Sequence, residues 1–315
     1  MRRRSGRSSS GSPGRTRDRS EARITVLRRS GGRPPERWEH VSRTVLVTGA
    51  RGKTGVEVTS RLRRLGADVR AGSSRPAAGM VRFDWDDPAS WRDAVAGVDA
   101  VFLVRPDIPA APELAAGLVE ANPDAHVVLL SEQGAEAMAP EAWARRVEDA
   151  VAARASSWTW LRPSWFHQVL TDPRFYRDAV RDDGVLSVPS GGGAIAWVDA
   201  RDIADVAVAA LLAPDDHDGR AHTITGPEAL TVTAVAAELS ARLGRPVRAD
   251  DPPPETAVQG VDPWTADILD DLHQRIRDGG FADLSPAVKE ITGHAPIPMG
   301  DFMAAHLDHW KRAAE

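Results

Sequence analysis

Three glycines at positions 49, 52 and 55, in VLVTGARGKTGVEV, follow a short β-branched run and open a stretch with helical apolar spacing. Each has a task in that setting: Gly49 permits the tight turn, Gly52 lets backbone approach a pyrophosphate, and Gly55 lets helix and strand touch closely. The amides at the helix start, from Lys53 and Thr54 onward, then face the anion. The GKT at 52–54 also resembles the end of a nucleoside-triphosphate loop. That loop needs a further glycine five residues before Gly52, where Val47 stands inside the strand, so ATP and GTP hydrolysis are excluded.

The end of the next strand decides which dinucleotide fits. NAD sites place an acid there for the ribose hydroxyls, whereas DVRAGSSR carries Ser73, Ser74 and Arg75. Hydroxyls and a guanidinium suit a 2′-phosphate, and Arg51 of the glycine loop can reach the same group, so the reading is NADP(H). The competing reading makes Arg51 and Arg75 solvated loop arginines. Asp84, in FDWDD, is placed to accept from the adenine amine, with Asp87 the more natural cap for a helix starting near Pro88.

Stepping along the chain from these residues, strands are expected at Thr44–Thr48, Asp68–Ala71, Val81–Phe83, Ala100–Val104, Val127–Leu130 and Trp158–Leu161, with helices near 54–65, 88–95, 110–121 and 140–155. Apolar strands alternating with helices predict an α/β, doubly wound parallel sheet of Rossmann type, with its ligand crevice at the strands' carboxyl ends. Beyond Leu161 the pattern loosens. Asp199 or Asp202 is placed to cap an apolar helix to about Leu212; AHTIT reads as a strand, and a helix stops at Gly244. Weaker helices follow near 264–278 and 300–312. The expected division is a dinucleotide-binding domain over 43–315, in which 162–196 and 249–315 form a small, mostly helical substrate-side lobe.

The 315 residues contain no cysteine, which excludes disulfides, thiolate catalysis and thiolate-bound metals. Residues 1–43 carry 13 arginines against four acids, a balance of +9, so the remainder must hold −14 for the chain to total −5. That acidic remainder argues against nucleic-acid binding by the folded part. Residues 1–42, rich in Arg, Ser, Gly and Pro, read as a disordered tail, with a basic arm, a transit peptide or an early-assigned start codon as alternatives. No run of 18 apolar residues and no apolar signal core appear, so a cytoplasmic protein without membrane contact is expected.

Taken together, VTGARGKTG, FDWDD, GVDAVFLVRP, VVLLSEQGAE, WTWLRPSWFHQ, AWVDARDIADVA and ITGPEALT resemble the NmrA-like group of atypical short-chain dehydrogenases. That group includes NADPH-dependent quinone and azo-dye reductases, ergot-alkaloid iminium reductases and redox-sensing regulators. The resemblance, running from Thr44 to about Trp310, implies that Leu103 to Pro106, with Arg105, lie beside the nicotinamide ribose. It also implies that Ser131 and Glu132 end a strand near the ring and that Pro163 to Gln168 wall the substrate pocket.

The chain departs from ordinary short-chain dehydrogenases, which use a Tyr and a Lys four residues later. Its one tyrosine, Tyr176, and its lysines, 53, 289 and 311, form no such pair, and Trp143 and Val147 occupy candidate positions in PEAWARRVEDAVAA. What remains for proton transfer is His167, with Ser131 and Gln133 as hydrogen-bond donors. Trp165 and Phe166, beside Gln168, offer a flat wall to a conjugated ring. Substrates that accept hydride without strong acid catalysis fit best: a small aromatic or conjugated quinone, iminium ion or enone. Competing readings are a non-catalytic NAD(P) redox sensor with a protein partner and a non-redox isomerase or cyclase. The acids at 148, 149, 199, 202 and 205 read as structural, the spacing of His217 and His222 gives no metal site, and the protein is expected as monomer or homodimer.

Overall fold

The alternation of the sequence becomes one seven-stranded parallel sheet in the computed structural model, which describes residues 43–312. In chain order its first half comprises β1 (Thr44–Val47), α1 (Lys53–Arg64), β2 (Asp68–Ser73), β3 (Met80–Arg82), α2 (Ala89–Val95), β4 (Ala100–Val104), α3 (Ala111–Glu120), β5 (His126–Leu130), α4 (Trp143–Ala152) and β6 (Trp158–Pro163). The second half comprises β7 (Val185–Ser187), β8 (Ala194–Ile195), α5 (Ala200–Leu212), α6 (Pro214–His217), β9 (Arg220–Ile224), β10 (Leu230–Thr231) and α7 (Val232–Leu243). It ends with β11 (Arg248–Asp250), α8 (Pro254–Ala257), α9 (Pro263–Arg277), α10 (Ala287–Thr292) and α11 (Met299–Ala305).

The sheet order is β3-β2-β1-β4-β5-β6-β9. The chain winds outward from β1 through β3 and restarts at β4 on the other side of β1, so the switch point lies between β1 and β4. Both sheet faces are covered, which explains strands that are apolar on consecutive residues. In β1, Val45 and Val47 join a core with α1 and α5, while Leu46 joins the opposite core with α2, α3 and α4. β4 repeats this division, with Ala100 and Phe102 on one side and Val101 and Leu103 on the other.

Local signals explain the helix ends. Val58 and Leu62 of α1 are buried at a four-residue spacing, and the Asp199 carboxylate caps α5 by accepting from the Arg201 N–H at 2.9 Å. Gly244, with φ 63°, closes α7 as its position suggests. Asp87 does not cap α2: that helix has no side-chain cap, and the Asp87 carboxylate pairs with Arg82 at 3.0 Å.

A third core gathers Leu170, Val180, Leu186, Trp197, Ile276, Phe281, Phe302 and Trp310, and it also takes Val232, Val235 and Leu239 from α7. This C-terminal region therefore includes α7, beyond the two expected segments. It is mainly helical but carries two small sheets, antiparallel β10–β8 and parallel β11–β7, which the sequence pattern did not announce.

Candidate functional site

The glycine loop runs from the end of β1 into α1. A Cβ on Gly55 would lie 1.9 Å from the Gly49 carbonyl oxygen, and one on Gly49 would lie 2.8 Å from Val104 Cβ, so both positions require glycine by close approach. Gly52 donates its N–H to the Gly49 carbonyl at 2.9 Å and begins the helix without a side-chain cap. The first turn of α1 has no acid and its last turn holds Arg61, Arg63 and Arg64. The positive pole is thus left for an external anion. Buried Thr54 Oγ1 has no protein partner, a further donor awaiting an oxygen. These features fit a dinucleotide pyrophosphate.

Lys53 takes an unexpected direction: its ammonium pairs with the buried Asp172 carboxylate at 2.5 Å and lies 4.9 Å from the Phe175 ring centre. Asp172 also takes Arg174, whose hydrogen bonds, helped by Lys53, hold the carboxyl well below its ordinary range. The lysine therefore ties the start of α1 to the segment after β6.

At the end of β2, the Ser73 hydroxyl accepts from the Arg75 N–H at 3.2 Å, which shapes the turn and leaves its own hydrogen free to donate. Ser74, Arg75 and Arg51 are exposed, and among the described residues neither guanidinium has a hydrogen-bond or ion-pair partner. No acid stands between Ser73 and Gly79. Asp84 lies in the turn before α2, where its carboxylate accepts from the Asp86 N–H at 3.2 Å and sits 3.9 Å from Arg82.

Beyond β4 and β5 the polar side chains bind one another. Arg105 bonds Glu132 at 3.0 Å and Asp107 at 3.3 Å and lies 3.9 Å over the Trp143 ring, with Pro106 half-buried beside it. Burial lowers the pKa of its guanidinium against the pull of these acids. Glu132 takes Arg275 of α9 at 2.8 Å on its other oxygen, and Arg275 also donates to the Gln133 carbonyl. Ser131 is buried, and its hydroxyl donates to Glu148 of α4 at 2.6 Å. Glu148 receives Arg162 of β6 through Nε at 2.9 Å and Nη2 at 2.6 Å. Gln133 is buried too, its amide 3.4 Å from the Asp283 carbonyl and its Oε1 without a partner.

The segment after β6 departs most from expectation. Trp165 is half-buried and meets Trp197 and Phe281 edge-on, while half-buried Phe166 packs on the α5-side core. His167 has no exposed surface: its ring lies 5.1 Å from Phe302, neither nitrogen has a hydrogen-bond partner, and Nδ1 is 3.7 Å from Asp199 Oδ2. Such an imidazole has no face open to a substrate. Gln168 is half-buried and braces the start of α5, its amide donating to Asp199 at 3.0 Å and its carbonyl accepting the Ala200 N–H at 3.0 Å. Burial would raise the Asp199 carboxyl, but the nearby His167 ring and the Arg201 contacts hold it well below the ordinary range.

The positions left for a proton-donating pair on α4 are apolar: Trp143 lies beneath Arg105, and Val147 is fully buried. Tyr176 packs against the third core, away from α4, and burial pushes its phenol up to about 12. Pairings between distant elements, Lys53 with Asp172, Glu148 with Arg162 and Glu132 with Arg275, had no sequence signal, because nothing in linear spacing brings those residues together.

Fold, switch point and glycine loop define a dinucleotide-binding Rossmann protein. Residues 41–272 match the NmrA-like family, and the chain belongs to it. An NAD(P)H azoreductase of Xenophilus azovorans is 32% identical over 286 residues, 83% of this chain and 97% of that protein. A (4-alkanoyl-5-oxo-2,5-dihydrofuran-3-yl)methyl phosphate reductase of Streptomyces griseus is 35% identical over 282 residues, 84% of this chain and 98% of that protein. Among solved structures, an Escherichia coli NADPH-dependent quinone oxidoreductase complexed with NADPH superposes with a TM-score of 0.71 at 22% identity, over 84% of this chain and 99% of that one.

Proposed function

We propose that this protein is an NADPH-dependent oxidoreductase that delivers hydride to a conjugated organic acceptor of the quinone, iminium or enone class. The observation that carries the acceptor class is that the proton donors expected for the ends of β5 and β6 are engaged or enclosed: Ser131 is committed to Glu148, His167 is fully buried, and α4 presents Trp143 and Val147. An acceptor already polarised or cationic needs hydride but little acid catalysis. The names of the Xenophilus and Streptomyces relatives, both reductases, support the oxidoreductase reading.

NADPH, when bound, supplies hydride from its nicotinamide. The amides of residues 53–55 and the positive end of α1 would hold the pyrophosphate, and Arg51, Ser73, Ser74 and Arg75 the 2′-phosphate. Arg105, braced by Glu132 and Trp143, fixes the chain leaving β4, and the Ser131–Glu148–Arg162 network fixes the ends of β5 and β6. Rate enhancement then comes from positioning and exclusion of water rather than from a proton-transfer pair. Trp165 and Phe166 would offer apolar surface to a planar acceptor.

The test is NADPH oxidation, followed at its near-ultraviolet absorbance, against one quinone, one cyclic iminium ion, one enone and one unactivated ketone. Turnover of at least one activated acceptor and none of the ketone is expected. Tight NADPH binding with no turnover of any acceptor would overturn the proposal in favour of a sensor.

A further inference from the structure

We propose that Asp202, Asp205 and His294 form a binding site for one zinc-class divalent cation that clasps the loop after α10 to α5. One oxygen or nitrogen from each of the three lies within 4.8 Å of the others. Asp202 and Asp205 stand three apart, on one face of α5, while His294 follows Gly293, whose left-handed turn (φ 84°) ends α10.

The hydrogen-bond inventory points to a cation. Asp202 is fully buried, and its Oδ2 accepts the Ile297 N–H at 2.8 Å, but its Oδ1 has no donor and faces His294 Nδ1 at 4.0 Å. A buried carboxylate oxygen without a partner is costly. His294 Nδ1 lies 2.9 Å from the Ala295 carbonyl, an acceptor, so this nitrogen donates there and Nε2 is the one placed to ligate an ion. That Nε2 faces Asp205 Oδ2 at 3.4 Å. Two carboxylate oxygens and one imidazole nitrogen thus converge, with only a long 3.5 Å contact from Arg61 Nη2 reaching Asp205 Oδ2.

The outer contacts also resemble those of metal ligands. A ligating histidine usually donates its other nitrogen to a carbonyl, as His294 does to Ala295, and ligating carboxylates are themselves hydrogen-bonded. Asp205 Oδ1 takes Arg61 Nε at 2.5 Å, and Arg61 is balanced in turn by Glu57. Arg201 and Asp199, at the start of α5, bond each other. One imidazole with two carboxylates suits zinc, and a tetrahedral ion would set ligand atoms about 3.4 Å apart. His294 is half-exposed on its loop, so a small movement of its ring can bring Nε2, already 3.4 Å from Asp205, toward Asp202 as well.

The experiment uses the full chain after treatment with EDTA and buffer exchange. ZnCl2 is titrated in competition with a chromophoric chelator, and thermal unfolding is followed with and without zinc. One equivalent should bind and raise the Tm. His294→Ala, an exposed-loop change, should weaken zinc binding at least tenfold and abolish the Tm rise. Asp205→Asn should do likewise, and His222→Ala, which removes one of a histidine pair elsewhere, should leave both unchanged. No saturable zinc binding by the wild type, or binding that His294→Ala leaves intact, would overturn the site.

Discussion

At the scale of single residues, the glycine loop combines a legible signal with a sharp geometric requirement. Gly55→Ala would drive a methyl to 1.9 Å from the Gly49 oxygen, so the turn must move. Overpacking of this kind costs about 1–3 kcal/mol, and we expect chemical denaturation to show that loss together with a weakening of NADPH binding. Arg75 tests cofactor choice. With one or two charged hydrogen bonds worth about 1.5–3 kcal/mol each and partial screening, wild type should prefer NADPH over NADH by about 10- to 100-fold, and Arg75→Ala should lose most of that ratio in paired titrations. Equal wild-type affinities would sink the assignment. His167 was legible as a residue of interest but not as a buried one, because its burial depends on Phe302, 135 positions away, and on Asp199 at the start of α5. His167→Ala should therefore lower stability and slow all acceptors alike; a loss confined to acceptors that need a proton would restore it as a donor.

Among elements, the long apolar strands and the helices α1, α5, α7 and α9 were readable because period, caps and glycine stops agree within each segment. β7, β8, β10 and β11 were not, since each has two or three residues and exists only by pairing with a distant partner. The Ser131–Glu148–Arg162 link among β5, α4 and β6 is equally non-local. Glu148→Gln would leave buried Arg162 with only the exposed Glu136 as a charged partner, and removing one member of a buried pair typically costs about 3–5 kcal/mol. Urea unfolding should show a large fall, and replacing both residues by apolar ones should cost less than the sum of the single changes. The β5–β6–β9 side of the sheet carries a pH dependence. Burial lowers His126 of β5 to about 4, and burial with neighbouring His217 lowers His222 of β9 to about 4. Between there and the ordinary value near 6.5, the unfolded chain binds more protons, so stability is complete above about 6.5 and falls as pH drops toward 4. His126→Gln should flatten that slope in urea titrations run from pH 7.5 to 4.5; an unchanged slope would place the dependence elsewhere.

The whole molecule joins a dinucleotide fold to a site whose polar groups brace one another. Removal of residues 1–42 should leave NADPH affinity within about threefold, because β1 begins at Thr44 and the glycine loop at 49–55 lies wholly beyond them; a tenfold loss would show that those residues contribute to the site. The central claim is that hydride passes directly from the nicotinamide to carbon of an activated acceptor. Its most direct measurement uses NADPH deuterated at C4, in separate R and S forms, with an iminium ion or enone turned over by the enzyme, and mass spectrometry of the product. One deuterium per product molecule from one of the two forms, and none from the other, is the predicted result. A product formed without deuterium from either form, or an acceptor isomerised with no NADPH consumed, would contradict the account.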